Sequence, residues 1–183
     1  MRPSQKHVII DAAIRVTERD GITGLTLESA AEEAGVTKGG LMYHFRTRNA
    51  LLMAIQQHLT RQWEDYLEAE LGKPAAEATT RETMAAYVRA GAWGSGGKAD
   101  LAFMLEAEAS PELATVWNDL IARWAPPPTS TDPHDIDLLL ARLAVDGLWI
   151  MGATGGAPLT KPVQAALRDR LNALLDNTDT KTD

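Results

Sequence analysis

The stretch TLESAAEEAGVTKGGLMYHF, residues 26–45, decides the fold of this chain. Its pattern predicts two short helices joined by a turn of roughly three residues around Gly35. Thr26 and Thr37 stand where helix N-caps belong, because a Thr hydroxyl can accept a hydrogen bond from a free N–H of the first helical turn. Two helices joined in this way are typical of a helix-turn-helix, in which the second helix is presented to DNA. The alternative is a plain hairpin of two helices inside an all-α core.

The presented helix and its surroundings are rich in groups that suit double-stranded DNA. The groups predicted to contact phosphates are Thr26, Thr37, Lys38, Tyr43, His44, Thr47 and Arg48. The surface predicted to lie nearest the bases comprises Gly39, Gly40, Leu41 and Met42. Each glycine costs a helix roughly 1 kcal/mol relative to Ala, and a helix whose backbone approaches DNA closely could require both.

The composition outside this stretch also favours an all-α protein. The 183 residues include 29 Ala and 22 Leu but only 15 Val and Ile together, and the first two types fit helices while the β-branched types fit sheets. The chain has no Cys, which excludes disulfides, thiolate metal sites and a Cys nucleophile. No apolar run approaches the roughly 18 residues needed to cross a bilayer, so we expect a soluble, cytoplasmic protein without a membrane partner.

Apolar residues at helical spacing predict about nine helices. They are expected near residues 4–19, 27–34, 38–45, 48–71, 79–93, 100–108, 111–124, 133–153 and 161–175. The fourth would be roughly 36 Å long at 1.5 Å per residue. We expect a DNA-binding domain over residues 1–47 and a larger helical domain over residues 48–183.

Charge is distributed unevenly along the chain, whose formal net charge is −7. Residues 1–50 carry seven Lys and Arg against six Asp and Glu, whereas residues 51–183 carry eleven against nineteen. A phosphate backbone attracts cations and repels carboxylates, so only the first part is suited to face DNA.

The run from Leu25 to Leu52, in which AGVTKGGLMYHF is followed by Arg48 and Ala50-Leu51-Leu52, resembles the DNA-binding domain of TetR-type transcriptional repressors. The resemblance covers about residues 5–55. It implies a three-helix helix-turn-helix domain followed by a helical ligand-binding and dimerisation domain, a palindromic operator and a small-molecule inducer. SPELATVWNDLIARW and the later DGLW are similar to repressors of multidrug efflux genes that respond to cationic dyes. Met42 and Gly40 depart from the Tyr and the Ser, Thr or Ala that are frequent in the family.

Aromatic residues and carboxylates after residue 62 suggest a ligand pocket. Aromatic faces beside carboxylates suit a flat organic cation through stacking and cation–π attraction. The predicted ligand-binding residues are Trp63, Trp93, Phe103, Met104, Glu106, Glu108, Trp117, Asp146 and Trp149. The alternative is that the tryptophans only fill the core.

Residues 133–153 and 161–175 carry more apolar surface than one helix face can bury. Core packing alone is one explanation, and the family resemblance implies another, in which these helices form the interface of a homodimer. The sequence thus predicts a repressor that leaves its operator when it binds a small hydrophobic inducer, with a cation favoured. The alternative within this class is a metabolite-sensing regulator of an adjacent enzyme gene.

Two other classes of protein compete with this prediction. One is a small all-α enzyme, for which the sequence offers no nucleophile–base pair, metal cluster or cofactor motif. The other is an adaptor that uses the helix-turn-helix for protein contacts. We expect no catalytic activity, no metal and no cofactor.

Overall fold

The computed structural model describes residues 4–93, 97–108 and 110–176, apart from the side chain of Trp93. In these residues the chain forms nine α-helices and no strand. They are α1 (Gln5–Asp20), α2 (Leu27–Glu33), α3 (Lys38–His44), α4 (Arg48–Leu71), α5 (Thr80–Trp93), α6 (Lys98–Ala107), α7 (Pro111–Trp124), α8 (Pro133–Ala153) and α9 (Lys161–Asp176). The predicted fold class is confirmed, with a helix-turn-helix near the N-terminus and a helical region after it. None of the described helices is both long and apolar enough to span a membrane.

Local capping signals explain why the helix bounds were predictable. The side chain of Ser4 accepts a hydrogen bond from the His7 N–H at the start of α1. At the start of α8, the Asp132 side chain accepts one from the His134 N–H, and Pro133 occupies the first helical position. Each cap satisfies a donor that the helix itself leaves free.

The chain folds into two compact units. The first unit contains the described residues within Met1–Gln62 and Gly97–Asn118, and the second contains those within Trp63–Gly96 and Asp119–Asp183. The predicted division into a DNA-binding domain over residues 1–47 and a larger helical domain over residues 48–183 stays a prediction. The first part of α4 and all of α6 belong with α1 to α3, because their apolar faces share a core that local sequence patterns do not show.

The first unit has a core of small and branched apolar side chains. In α1 the fully buried residues include Ile9, Ala12, Ala13 and Val16, and α1 packs against α2 and α6. Leu51 and Ile55 of α4 and Phe103 of α6 are also fully buried. This core fixes the place of the helix-turn-helix.

The second unit has a separate core. Its members, contributed by α5, α8 and α9 together with the residue after α7, are Met84, Val88, Ala125, Leu138, Ala141, Val145, Leu171 and Leu175. Helices α5 and α8 approach closely at Gly91, where an added Cβ would lie 3.2 Å from Cγ2 of Val145. Such a distance is too short for an easy fit, so a glycine at this position allows the two helices to pack.

Candidate nucleic-acid interface and predicted ligand residues

The turn between α2 and α3 is built by caps and one glycine. Thr26 and Ser29 form a capping box at the start of α2, and the Thr37 hydroxyl oxygen accepts from the Gly40 N–H at the start of α3. Gly35 has a φ of +66°, a conformation that side chains with a Cβ rarely adopt. The Val36 N–H then donates to the Ala31 carbonyl over 3.0 Å, which closes the turn.

Helix α3 has one buried and one exposed face. Leu41 is completely buried, and Phe45, directly after the helix, is nearly so. The exposed face carries Lys38, Gly39, Met42 and Tyr43, and the Tyr43 side chain is 85% exposed. Leu41, which was predicted among the residues nearest the bases, therefore anchors the helix from below and is corrected to a packing role.

The two glycines of α3 differ in their surroundings. A Cβ at Gly39 would meet no atom within 4 Å, whereas a Cβ at Gly40 would lie 3.2 Å from the Thr37 hydroxyl oxygen. The N-cap thus gives Gly40 an internal reason to lack a side chain. Gly39 has no such reason in the described residues, and its bare backbone lies on the exposed face.

The beginning of α1 lies beside the end of α3. The His44 Nε2 and the Gln5 Oε1 are 3.3 Å apart, and the Lys6 ammonium lies 5.7 Å from the centre of the Phe45 ring. Sequence analysis missed Lys6, because helical spacing in α1 drew attention only to its apolar face. A basic residue on the first turn of α1, in line with that apolar face, was the available signal.

Most cations of the region are already paired with carboxylates. Arg15 and Arg19 both bind Glu33, and these hydrogen bonds, that of Arg19 first, lower the pKa of the Glu33 carboxyl. Lys38 forms an ion pair with Glu28 of α2. Among the described residues of α1 to α3 and the short segment that follows, Lys6 and Arg46 are the basic side chains without a carboxylate partner.

The half-buried Arg48 side chain makes three hydrogen bonds within the first unit. Its Nε donates to the Leu25 carbonyl over 2.9 Å and its Nη2 to the Ile22 carbonyl over 3.1 Å. Its Nη1 donates to Oε1 of Glu106 over 2.7 Å. Arg48 was predicted to contact phosphate and Glu106 to bind a ligand. The structure pairs them as a brace between α4, α6 and the segment before α2, and both roles stay predictions.

Several predicted ligand residues lie in the first unit. Phe103 is fully buried in α6, Met104 is half-buried beside it, and Glu108 is exposed just after this helix. The Trp117 Nε1 donates to Oε1 of Gln56, a completely buried residue that sequence analysis did not single out. Gln56 in turn donates from Nε2 to the Phe103 carbonyl over 2.5 Å.

The remaining predicted ligand residues lie in the second unit. Asp146 already has partners, since it accepts from the Tyr87 hydroxyl over 2.9 Å and lies 3.4 Å from Nε of Arg142. Burial first, and then the Asp146 charge, raise the pKa of Tyr87. Trp63 packs edge-on against Tyr66, and the Trp149 Nε1 is buried without a hydrogen-bond partner in the described residues. The side chain of Trp93 lies outside the described residues.

Each unit also contains an open cavity of ligand size, for which 300 to 1,000 Å³ is typical. The cavity in the first unit has about 420 Å³, and its wall includes Asp11, His58 and Asp100. That in the second has about 350 Å³ and a mostly apolar wall that includes Met151 and Leu167. Neither wall contains a predicted ligand residue, so those residues stay a prediction. Among the described residues, no His, Asp and Glu side chains form a group of three that could hold a metal ion.

Helix α8 of the second unit carries a row of exposed apolar side chains. Its members are Ile136, Leu140, Leu143 and Ile150, and we name this row the α8 seam. Their spacing places them on one side of the helix. Gly147 falls in the same row, and a Cβ added there would meet no atom within 4 Å.

Comparisons with known proteins identify related families and structures. The family "Bacterial regulatory proteins, tetR family" matches residues 9–55, and "Tetracyclin repressor-like, C-terminal domain" matches residues 81–176. The HTH-type transcriptional regulator BetI of Cronobacter sakazakii is 28% identical over 170 residues, which are 86% of this chain and 84% of that protein. BetI of Paraburkholderia xenovorans is 29% identical over 182 residues, with 92% and 90% covered.

Solved structures with a similar fold include a multidrug binding protein and a TetR-family member. The multidrug binding protein EbrR complexed with malachite green is similar, with a TM-score of 0.58 and 26% identity over 94% of this chain and 98% of that one. A member of the TetR family from Streptomyces coelicolor A3 has a TM-score of 0.60 and 26% identity, with the same shares covered.

Proposed function

Because the chain belongs to the TetR family of bacterial regulatory proteins, we propose that it represses transcription from a palindromic operator and leaves it when a small hydrophobic cation binds. Its place in the family makes it a DNA-binding transcription regulator. The operator symmetry, the homodimer and the class of inducer are the proposed parts.

The observation that carries DNA binding is the exposed face of α3. Leu41 and Phe45 fix the helix from below, so Gly39, Met42 and Tyr43 are presented on a rigid surface. The backbone at Gly39 can approach base edges, and a Met side chain can contact a thymine methyl group. A helix N-terminus and a tyrosine hydroxyl are suited to phosphates.

Phosphate contacts are assigned to groups that are free to make them. Lys6 and Arg46 lack carboxylate partners and lie at the end of α3. The hydroxyl oxygens of Thr37 and Thr47 accept from the N–H groups of Gly40 and Ala50. A hydroxyl that accepts in this way still has its proton to donate to a phosphate oxygen.

The α8 seam supports a homodimer through α8 and α9. Water-exposed Leu and Ile side chains in one row are unfavourable in a monomer, and a two-fold axis would let the seam of one subunit cover that of the other. Gly147 would allow the helices to cross closely. A dimer of this kind presents two copies of α3, which a palindromic operator matches.

Two observations support a hydrophobic cation as inducer. The similar protein EbrR, at 26% identity, is complexed with malachite green, which is an aromatic cation. In this chain the second unit holds the aromatic pair Trp63 and Tyr66, and aromatic ring faces attract organic cations. Control of multidrug efflux would follow from such an inducer.

DNA binding is tested with Tyr43→Ala, and Tyr66→Ala is the matched control because Tyr66 is also an exposed tyrosine but lies on α4 in the second unit. Fluorescence anisotropy with a labelled duplex of random sequence should show binding that falls steeply with salt. Tyr43→Ala should weaken it and Tyr66→Ala should not. Equal effects of the two substitutions, or binding that ignores salt, would contradict the proposal.

The inducer is tested with tetraphenylphosphonium, a hydrophobic cation that is too bulky to intercalate between bases. Triphenylphosphine oxide, which is similar in shape but neutral, is the control. Only the cation should quench tryptophan fluorescence and release DNA. Linkage requires DNA to weaken the binding of the cation by the same factor, roughly 5- to 150-fold. Equal affinity of the cation for free and DNA-bound protein would exclude it as an inducer.

A further inference from the structure

We propose that Glu28 is a positioning residue for Lys38, which it holds in an ion pair and thereby withholds from the phosphates of DNA. The proposal rests on DNA binding through α3. In this proposal Glu28 of α2 lowers the affinity for DNA of any sequence.

The ion pair lies at the edge of the DNA-reading surface. Glu28 belongs to the first turn of α2, and Lys38 is the first residue of α3. In a helix-turn-helix, the N-terminal residues of the second helix reach the bases while the first helix crosses the backbone. The carboxylate and the ammonium therefore lie together where the phosphate backbone would approach.

Stability does not account for this ion pair. Both side chains are more than half exposed to water, and exposed ion pairs contribute little to folding because water screens them and both side chains lose freedom. Hydrogen bonding to Lys38 lowers the pKa of Glu28, so its carboxylate is charged across the neutral range. A fixed negative charge on a surface that binds a polyanion needs a reason other than stability.

The consequence for DNA binding follows from counterion release. Each phosphate that a lysine neutralises adds about 0.9 to the slope of log affinity against log salt. A Lys38 that stays with Glu28 makes no such contribution. Glu28 thus removes about one cation from each copy of α3, in addition to the two arginines that Glu33 already engages.

The test uses Glu28→Gln, which keeps the shape of the side chain and removes its charge. Affinity for a random 30-base-pair duplex should rise, and the salt slope should steepen by about 0.9 for each recognition helix in contact. For a dimer, the gain over wild type should be about tenfold larger at 50 mM than at 200 mM salt. Glu32→Gln is the matched control, since this residue is exposed on the same helix and no ion pair joins it to a described basic residue.

A double-substitution cycle separates the ion pair from net charge. Lys38→Gln should cost little affinity in the wild-type background, but it should abolish the gain in the Glu28→Gln background. Equal losses in both backgrounds would overturn the proposal, as would an equal gain in Glu32→Gln. Wild-type protein that fails to bind duplex DNA would overturn the proposed function as well, whereas salt-dependent binding without coupling of the two residues would overturn this inference alone.

Discussion

Among the described residues, the first unit exposes three large apolar or aromatic side chains, on α3 and α6, whereas the second exposes four in one row on α8. Met42 and Tyr43 of the first unit are presented on α3, and Leu105 is exposed on α6. The second unit has the α8 seam. The contrast agrees with the proposed function, in which the first unit presents its surface to DNA and the second pairs with a second copy of the chain through the α8 seam.

The largest expected effect comes from breaking the seam. Leu143→Asp should convert a dimer into a monomer, because two carboxylates would face each other in the interface. Binding to a palindromic duplex should weaken about 100-fold or more, since the two half-sites would no longer be linked. Sedimentation velocity and anisotropy measure the two effects. Leu105→Asp is the control, and a monomeric wild-type protein at micromolar concentration would refute the prediction.

The core of the first unit is tested at two adjacent residues of α3. Leu41→Ala should lower the free energy of unfolding by about 2–5 kcal/mol, because it leaves a cavity beneath the helix. Met42→Ala should lower it by less than about 1 kcal/mol, because the side chain is partly exposed, and should weaken DNA binding. Urea unfolding gives the first quantity. The interpretation of the two faces of α3 fails if the two substitutions have the same effect on stability.

Arg46 and Arg48 also allow a buried contact and an exposed side chain of the first unit to be compared, here with the same residue type. Arg48→Ala should cost about 1.5–3 kcal/mol of stability, because it frees two backbone carbonyls and the Glu106 carboxylate from their charged partner. Arg46→Ala should leave stability unchanged and reduce the salt slope of DNA binding by about 0.9 per recognition helix. An unfolding curve for Arg48→Ala that matches wild type would show that the three hydrogen bonds of Arg48 do not stabilise the first unit.

The smallest expected effect concerns the two glycines of α3. Gly39→Ala should raise the free energy of unfolding by roughly 0.5–1 kcal/mol, because nothing lies near the added methyl group and the unfolded chain loses freedom. It should nevertheless weaken DNA binding. Gly40→Ala should give no such gain, since its Cβ would press on the Thr37 cap. A Gly39→Ala variant with unchanged DNA affinity would show that this glycine is not part of the contact surface.

Sequence patterns were sufficient for the helices and the turn of the helix-turn-helix. The signals there are local, because Thr26 and Thr37 cap helices that begin one residue later, and Gly35 ends a helix by its own conformation. A spacing of three or four residues likewise marked the apolar faces.

The partners of charged groups could not be predicted in the same way. Arg48 bonds to Ile22 and Leu25 before it in the chain and to Glu106 far after it. Nothing in the neighbourhood of Arg48 indicates these three acceptors, because they meet only when α4 and α6 share a core. Lys6 reaches the Phe45 ring after α3 through another tertiary contact, that of the start of α1 with the end of α3.

Gln56 restricts which sequences this fold can accept. Its amide oxygen accepts a hydrogen bond from the Trp117 indole N–H and its amide nitrogen donates one to the Phe103 carbonyl, so it joins α4, α6 and α7 in the buried interior of the first unit. Glutamate could accept but, when charged, could not donate, and leucine could do neither. A viable change at position 56 would therefore require a compensating change at Trp117. Among divergent relatives of this chain, we expect these two positions to vary together.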